Sequence, residues 1–419
     1  ITNGFGLNTN IEYQPLTNTN VYTKGTGAYT WNDYGKNHSP VFDIISGQHV
    51  VSQVTSDAPS YNSGYSYNAS NTVSVSYQYE GLRAQAGGRG MLGFKKLTTT
   101  DNQTTINTIS TYEQEYPYTG MPLTTKAYYG NTLIKDATNV LAQHEFHSSK
   151  VVFPYLSQSI EKQIDVDSGA VLSTTKTTNQ YNEIVSDNHA NLTSVTVEVF
   201  TGDSTTGSAF KTTTTTNTYS DNVGEWWLGR LTTANVTHTV PTADTQPTVN
   251  RTSSFVYDTK GMLLAEQVND LVTLHCYDDF GREIETTTDS SLDISTVDEN
   301  NCEQAMKTTE NDINKVYRTK RTKYGTDGTG RYVTEVSDGI HTLQKINDSD
   351  RNAFGQPELI TDINNVKTYI KYDAFGRKYY SNNDVGEKTT ISRELDSSFT
   401  GSYFVETIES DGKPTVKKY

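Results

Sequence analysis

The sequence has few large apolar side chains and no long apolar run. Hydrophobic residues make up 33% of its 419 residues, whereas globular domains usually contain about 45–50%. A stretch of about 18 consecutive apolar residues, the length that a membrane-spanning helix requires, does not occur. The shortage of aliphatic side chains also argues against a helical bundle, because such a bundle needs many Leu and Ala residues.

Basic residues are outnumbered by acidic ones. The chain has 34 Lys and Arg against 49 Asp and Glu, which gives a net charge of −15. A protein that binds nucleic acid needs a basic patch to contact phosphates, so this balance argues against nucleic acid as the main partner. Spread over the whole chain, the charge is too weak to keep it unfolded by repulsion.

Cysteine is also scarce, with only Cys276 and Cys302 in the chain. Their spacing fits neither a zinc site nor a Cys-x-x-Cys redox motif. The prediction is a disulfide bond, which would close a loop of about 27 residues and contribute roughly 3–4 kcal/mol. A pair of free thiols is the alternative. A disulfide bond would indicate an oxidising, extracytoplasmic compartment.

Tyrosine and threonine are abundant and occur in alternating patterns. In the segment 72–81, Val73, Val75 and Tyr77 would share one face of a strand, with polar residues on the other face. Such alternation predicts antiparallel strands that are partly exposed to water. The threonine run at 212–216 is typical of an exposed strand face. The best helical candidate, residues 136–147, has a poor helical pattern, so the predicted fold class is all-β.

A short motif recurs in the second half of the chain. Residues 257–261 and 277–282 carry it about 20 positions apart, and residues 352–356 and 372–377 carry it about 21 positions apart. We interpret it as a β-hairpin turn, in which Asp accepts backbone N–H bonds and Gly adopts positive φ. Tyr packs at the end of one strand, and Arg begins the next. The residues with these structural roles are Tyr257, Asp258, Gly261, Tyr277, Asp278, Gly281, Arg282, Phe354, Gly355, Tyr372, Asp373, Gly376 and Arg377.

These motifs resemble the YD repeats of the RHS family. The form Tyr-Asp-x-Phe-Gly-Arg at 277–282 and 372–377 is specific to such repeats. Segments 77–94 and 226–231 resemble the middle region of the B component of insecticidal Tc toxins and of related SpvB proteins. On this resemblance, residues 1–170 form a Tc-toxin-B-middle-like β region. Residues 171–419 form degenerate and regular YD repeats, with a polar insertion near 290–350.

The resemblance implies a bacterial protein that is secreted or lies at the cell surface. Its antiparallel hairpins would form a large curved or spiralling sheet, part of a hollow β-shell. In the family, such a shell encapsulates or delivers a toxic C-terminal domain. The implied partners are therefore a downstream toxin or effector domain of the same polypeptide, or subunits of a delivery complex. The chain has no autoproteolysis motif and stops at Tyr419 just past a repeat, so we expect it to be a segment of a longer protein.

Residues with catalytic or metal-binding chemistry are scattered. His144 and His147 do not form the His-Glu-x-x-His zinc motif, because the second His comes one position early. The neighbouring acids Asp278 and Asp279 could act in a glycosidase, but they belong to a predicted turn. The same holds for Asp165 and Asp167 in the turn at 163–169. The chain is therefore expected not to be an enzyme.

Acidic clusters in turns are the only candidates for a metal site. Asp327-Gly328 and Asp348-Ser349-Asp350 could supply oxygen ligands for Ca²⁺, but neither matches the EF-hand loop. The prediction is that the chain has no cofactor and no resident metal, with Ca²⁺ as the alternative.

Trp226 and Trp227 form the most conspicuous aromatic pair. On a strand, one indole would face inward and the other outward, where it could stack on a sugar ring or on a partner. In the alternative interpretation both lie under loops of the sheet. Two further functions therefore remain open. One is an extracellular carbohydrate-binding adhesin module, and the other is a polysaccharide-acting enzyme.

Overall fold

The computed structural model describes most of the chain as strands and turns. The described residues are 1–3, 7–26, 40–61, 67–68, 71–146, 151–182, 189–242, 248–297, 318–325, 330–338, 340–396, 403–410 and 412–418. Within these ranges there are two short 3-10 helices, Ile294–Thr296 and Asp348–Asp350, and no α-helix. No helix in the described part of the chain is long and apolar enough to cross a membrane. The predicted all-β class is confirmed.

The chain divides into two compact units, unit 1 at Ile1–Arg251 and unit 2 at Thr252–Tyr419. The strands of unit 1 are β1 (Thr9–Pro15), β2 (Tyr22–Thr23), β3 (Val41–Asp43), β4 (His49–Asp57), β5 (Ser60–Tyr61), β6 (Tyr67–Asn68), β7 (Thr72–Glu80), β8 (Arg83–Gln85), β9 (Gly90–Gly93), β10 (Lys96–Asp101), β11 (Ile106–Tyr112), β12 (Pro122–Tyr129), β13 (Thr132–Phe146), β14 (Val151–Ile164), β15 (Val171–Tyr181), β16 (Leu192–Thr201), β17 (Lys211–Asn222) and β18 (Trp227–Thr239).

The boundary between the units falls within β19 (Thr248–Tyr257). The strands that follow are β20 (Leu263–Val268), β21 (Leu271–Tyr277), β22 (Glu283–Asp289), β23 (Arg318–Tyr324), β24 (Val333–Ser337), β25 (Thr342–Lys345), β26 (Leu359–Asp362), β27 (Lys367–Tyr372), β28 (Lys378–Asn383), β29 (Lys388–Asp396), β30 (Tyr403–Ser410) and β31 (Lys413–Lys418). Of all these strands, 26 belong to one sheet.

The strands pair in a simple order. In unit 1, β1, β4, β7 and β10 are antiparallel neighbours in that order. From β10 to β18, each strand pairs antiparallel with the next one in the sequence. The same holds from β19 to β31. The short strand β2 pairs parallel with β7. Consecutive hairpins therefore build the sheet, as the alternating sequence pattern predicts.

The segment 136–147, the best helical candidate in the sequence, lies in an extended strand instead. Residues 136–146 belong to β13, which pairs with β14 from Lys135 to Phe146. Residue 147 lies outside the described residues. The strand is favoured because Thr138 and Val140 are β-branched and stiff, and because a neighbouring strand is present to accept its backbone hydrogen bonds.

Both faces of the sheet carry polar side chains in β15–β18. Thr178, Thr196, Thr214 and Thr237 stand directly opposite one another on four successive strands. On the same face Lys176 forms an ion pair with Glu198 at 3.0 Å. The other face of β16 carries Val195, Val197 and Val199, and these stand opposite residues such as Thr213 and Thr215 of β17. Cross-strand pairs of this kind can stabilise a sheet even where no second layer of structure covers its faces.

Among the described residues, each unit has one small cluster of buried apolar side chains. In unit 1, Leu16, Tyr22 and Leu82 are buried together near the start of the sheet. In unit 2, the cluster is formed by Leu264, Ala265, Val272, Leu274, Cys276 and Val297.

The polar insertion predicted near 290–350 begins with an apolar contact. Val297 belongs to the unit 2 cluster, and Leu292 and Ile294 pack against it. From Arg318 onward the chain forms β23, which pairs with β22 in the regular order of the sheet. Residues 298–317 lie outside the described residues. The first part of this segment therefore covers a patch of the sheet rather than standing away from it.

The chain exposes an unusually large surface for its length. Its solvent-accessible area is 25510 Å² for a mass of 46.5 kDa, whereas a compact globular protein of that mass exposes about 16,000 Å². A sheet whose two faces are both partly open to water accounts for the difference.

Candidate functional site

The repeat turns, defined here as residues 258–262, 278–282, 352–356 and 373–377, share one hydrogen-bond pattern. In the second of them, Asp278 Oδ1 accepts bonds from the backbone N–H groups of Phe280 at 2.9 Å and Arg282 at 3.0 Å. Asp258, Asn352 and Asp373 accept the same pair of bonds in the other three turns. A side chain that satisfies two turn amides stabilises the reversal of the chain.

The glycines of the repeat turns have positive φ, as the sequence predicts. The φ angles are +90° at Gly261, +74° at Gly281, +80° at Gly355 and +74° at Gly376. A residue with a Cβ atom would be strained in this left-handed region. The glycine is therefore required by the backbone rather than by a ligand.

Arginine closes two of the turns with an ion pair. Arg282 Nε lies 2.6 Å from Asp278 Oδ2, and Arg377 Nε lies 2.7 Å from Asp373 Oδ2. Burial alone would raise the pKa of Asp278, but the hydrogen bonds from Arg282 and Phe280 outweigh it, so the pKa lies below its usual range. The pKa of Asp373 is lowered first by the bond from the Arg377 amide.

The repeat tyrosines connect successive turns. Tyr277 donates its hydroxyl to the carbonyl of Leu263 at 2.9 Å, and Tyr372 donates to the carbonyl of Pro357 at 3.1 Å. Each acceptor directly follows the preceding repeat turn. Burial raises the pKa of both hydroxyls. Tyr324 makes the same contact with Glu283, the residue after turn 278–282, at 3.5 Å. Sequence analysis missed Tyr324 because no Asp follows it directly.

Neighbouring repeat turns also touch each other through their last residue. Gln356 donates from Nε2 to the carbonyl of Gly376 at 2.6 Å. Arg282 donates from Nη1 to the carbonyl of Gly330, and its guanidinium lies 4.3 Å from the centre of the Tyr324 ring. Repeat turns 352–356 and 373–377 are therefore joined directly, whereas turn 278–282 is joined to Gly330 and Tyr324 of the following segment.

Two further turns share this pattern without carrying the motif. Asp362 Oδ1 accepts from the amides of Asn364 and Val366, both at 2.8 Å. Asn383 accepts from the amide of Glu387 at 2.8 Å. Asn365 and Gly386 hold the positive φ position in these two turns. Their signal in the sequence is an Asp or Asn five positions before the first residue of the next strand, without the Tyr.

The aromatic pair at the β17–β18 hairpin differs from the prediction. Trp226 is not on a strand: it lies in the turn with φ +57° and is 71% exposed. Trp227 begins β18, and the guanidinium of Arg230 lies 4.1 Å from the centre of its ring. The interpretation that the two indoles face opposite sides of one strand is therefore wrong, because the backbone turns between them. The interpretation that both lie under loops is wrong for Trp226, because its side chain is exposed. Only Trp226 presents an open indole face.

A buried carboxylate organises the surroundings of Trp226. Asp221, whose side chain is 2% exposed, lies 2.8 Å from His189 Nδ1 and accepts a bond from the Gly229 amide at 2.5 Å. Asn191 Nδ2 donates to it at 3.2 Å. Burial alone would raise the pKa of Asp221, but these hydrogen bonds and the nearby His189 lower it. The His189 ring meets the Trp226 ring edge-on, with 6.4 Å between their centres.

Cys276 is buried in the unit 2 cluster and takes part in a disulfide bond. Cys302, the predicted partner, lies outside the described residues, so their pairing stays a prediction. A peptide map of the non-reduced protein would test it.

The remaining candidates do not form a reactive or metal-binding cluster. His144 stacks on Tyr155 with 5.0 Å between ring centres, and His147 lies outside the described residues. Asp165 holds its turn through Ser168. Asp327 and Gly328 lie outside the described residues, and Asp348–Asp350 form a 3-10 helix. Across the described ranges, no three His, Cys, Asp or Glu side chains lie close enough to hold a metal ion.

Comparison with known proteins gives no sequence-level relative. No protein-family model matches the chain, and no curated protein matches it. The crystal structure of TcdB2-TccC3 aligns with 87% of this chain and 26% of its own, at 9% identity and a TM-score of 0.49. The crystal structure of TcdB2-TccC3-Cdc42 aligns with 85% and 23%, at 9% identity and a TM-score of 0.47.

A Photorhabdus luminescens Tc holotoxin pore structure aligns with 90% of this chain and 26% of its own, at 10% identity and a TM-score of 0.19. The chain therefore spans about a quarter of the length of these Tc toxin chains. Likenesses at this level assign no family, activity or partner to the chain.

Proposed function

We propose that this chain forms part of the wall of a β-shell in a longer, exported RHS-type protein, and that the shell encapsulates or delivers a C-terminal toxin or effector. The observation that carries the proposal is a sheet of 26 strands whose described side chains are mostly half-buried on both faces. A wall with water on both sides needs such a sheet, whereas a compact enzyme domain would cover at least one face.

The chemistry of the two faces supports this role. On one face, a row of threonines that includes Thr178 and Thr196 presents hydroxyl groups. On the other face, Val197 stands opposite Thr177 and Thr213 of the two neighbouring strands. Neither face carries a continuous apolar surface in β15–β18. A wall of this kind can lie against an enclosed polypeptide without binding it tightly, because it has little apolar area to bury.

The repeat turns would act mechanically. They satisfy their own amides through Asp278 and Asp373, and they touch one another through Gln356 and Gly376. Their polar atoms are thus used within the sheet, and we propose no catalytic role for them. The disulfide bond at Cys276 supports export, because such bonds persist mainly in oxidising compartments.

Limited proteolysis of the natural full-length polypeptide tests the proposal. We expect a segment downstream of residue 419 that resists protease in the native protein. The same segment expressed alone should be digested. It should also be digested in the full-length Gly281→Val, Gly376→Val double variant, because those substitutions destabilise the turns of the wall. A natural polypeptide without a downstream segment would overturn the proposal. So would a downstream segment cut equally fast inside the native protein and alone.

A further inference from the structure

The turn at residues 221–229, called here the Trp226 turn, resembles a repeat turn with extra residues, because Asp221 Oδ1 accepts a bond from the Gly229 amide at 2.5 Å, as Asp278 Oδ1 does from the Arg282 amide. The neighbouring loop begins at Asn182, whose Oδ1 accepts from the amide of Asn191 at 2.7 Å, as Asp278 does from Arg282. Tyr219 then donates to the carbonyl of Leu192 at 2.9 Å, as the repeat tyrosines do after a turn. In repeat proteins, extra loop residues often lie on the face that binds a ligand.

The backbone of this site is strained at two places. Trp226 has φ +57° and Ala190 has φ +56°. A residue that carries a Cβ atom is strained in the left-handed region, a bulky one most of all, and such strain clusters at functional sites. Gly224 stands two positions earlier in the same turn, where φ is not positive. The turn thus places its indole where the backbone would favour glycine.

The strained platform is held by buried polar contacts rather than by apolar packing. Asp221 receives hydrogen bonds from His189, Asn191 and Gly229, which fixes the positions of both loops. Trp226, 71% exposed, contacts the His189 ring with the two ring planes at 75° and their centres 6.4 Å apart. The result is an exposed aromatic ring bordered by hydrogen-bonding groups, a combination of an apolar body and nearby polar atoms that suits contact with a polar ligand.

We propose that Trp226 and His189 form a carbohydrate-binding subsite for uncharged sugars. The polarised C–H bonds on one face of a pyranose ring match the negative face of an indole, and sugar hydroxyls need nearby donors and acceptors. His189, which is 22% exposed, together with the exposed Asn222, supplies them. Asp221 and Glu225 make the turn acidic, and it contains no Lys or Arg, so it disfavours anionic sugars. The proposal does not depend on the β-shell function.

The strained φ makes a clean test available. Trp226→Gly removes the indole but suits φ +57°, so the variant should melt at the same or a higher temperature than the natural chain. Binding of cellotriose, maltotriose and chitotriose to the full chain is measured by calorimetry, with 3′-sialyllactose as the anionic probe. We expect saturable binding of at least one uncharged trisaccharide, and at least a tenfold weaker affinity in Trp226→Gly.

Phe375→Ala serves as the matched control, because Phe375 is an 83% exposed aromatic residue at the tip of a repeat turn. It should leave binding unchanged. The proposal is overturned if none of the three uncharged trisaccharides binds, or if Trp226→Gly binds as tightly as the natural chain. Equal affinity for 3′-sialyllactose would overturn the preference for uncharged sugars.

Discussion

A single carboxylate organises each complete repeat turn. Asp278 accepts two backbone amides and pairs with Arg282, so one side chain satisfies three donors within five residues. Asn352 accepts the same two backbone N–H bonds in its own turn, without an ion pair of this kind. The acceptor oxygen is therefore the essential feature, and the negative charge adds the ion pair.

The glycine of the motif gives the first prediction. Gly281→Ala should lower the free energy of unfolding by about 1–2 kcal/mol, because an L-residue is strained at φ +74°. A Cβ atom there would otherwise meet only the end of the Met262 side chain, at 3.9 Å. Chemical denaturation measures the change. Gly47→Ala is the control, since Gly47 has open space around it and no positive φ. Equal stability of the two variants would contradict the hairpin interpretation.

The turn carboxylates predict a loss of stability in acid. The pKa values of Asp278, Asp373 and Asp221 are lowered in the folded chain. A lowered pKa stabilises the fold above the unfolded value of about 3.9, and this contribution disappears as the pH falls through the folded value. The melting temperature should therefore stay level above about pH 5 and drop below about pH 4.

Asp278→Asn is the matched variant for the acid experiment, since Asn352 shows that an amide can hold such a turn. It should be less stable near neutral pH, where the ion pair with Arg282 is lost. Its melting temperature should then fall less steeply in acid. An unchanged acid profile would show that Asp278 does not contribute.

At the scale of the hairpin, we expect the turns without the repeat motif to contribute as much to stability as the turns with it. Asp362 makes both amide bonds that Asp373 makes. We expect Asp362→Ala and Asp373→Ala each to lower the melting temperature of the chain, because each leaves two turn amides without their acceptor. Thermal unfolding measures both. Asp279→Ala, an exposed neighbour in a repeat turn, is the control and should be neutral.

At the scale of the whole molecule, the exposed area predicts a small heat-capacity change. Compact proteins of 419 residues show roughly 5–6 kcal/mol/K on unfolding. This chain, with 25510 Å² already exposed when folded, should show less, since unfolding uncovers less apolar surface. Calorimetry at several protein concentrations measures it. A heat-capacity change of about 5–6 kcal/mol/K that does not depend on protein concentration would contradict this prediction. It would mean that the faces of the sheet are covered within a single chain.

The local features of the fold could be predicted because they depend on residues close in sequence. The strand at 72–81 could be predicted from its alternation of apolar and polar residues alone. The positive φ at Gly281 and Gly376 could be predicted from turn motifs that span only about five residues. The Trp226 error has the same origin. The indoles were placed by strand alternation, and the positive φ falls on Trp226 itself, whereas the nearby Gly224 does not adopt it.

By itself, the sequence determined that the chain folds as repeated antiparallel hairpins, since that information is contained in short-range patterns and turn chemistry. The tertiary structure alone decided what lies side by side: Asp221 against His189, Tyr324 against the turn before it, and Val297 within the unit 2 cluster. Those contacts join residues 32 and 41 positions apart in the first two cases. Strand register and loop packing bring such residues together, and no local pattern specifies either of them.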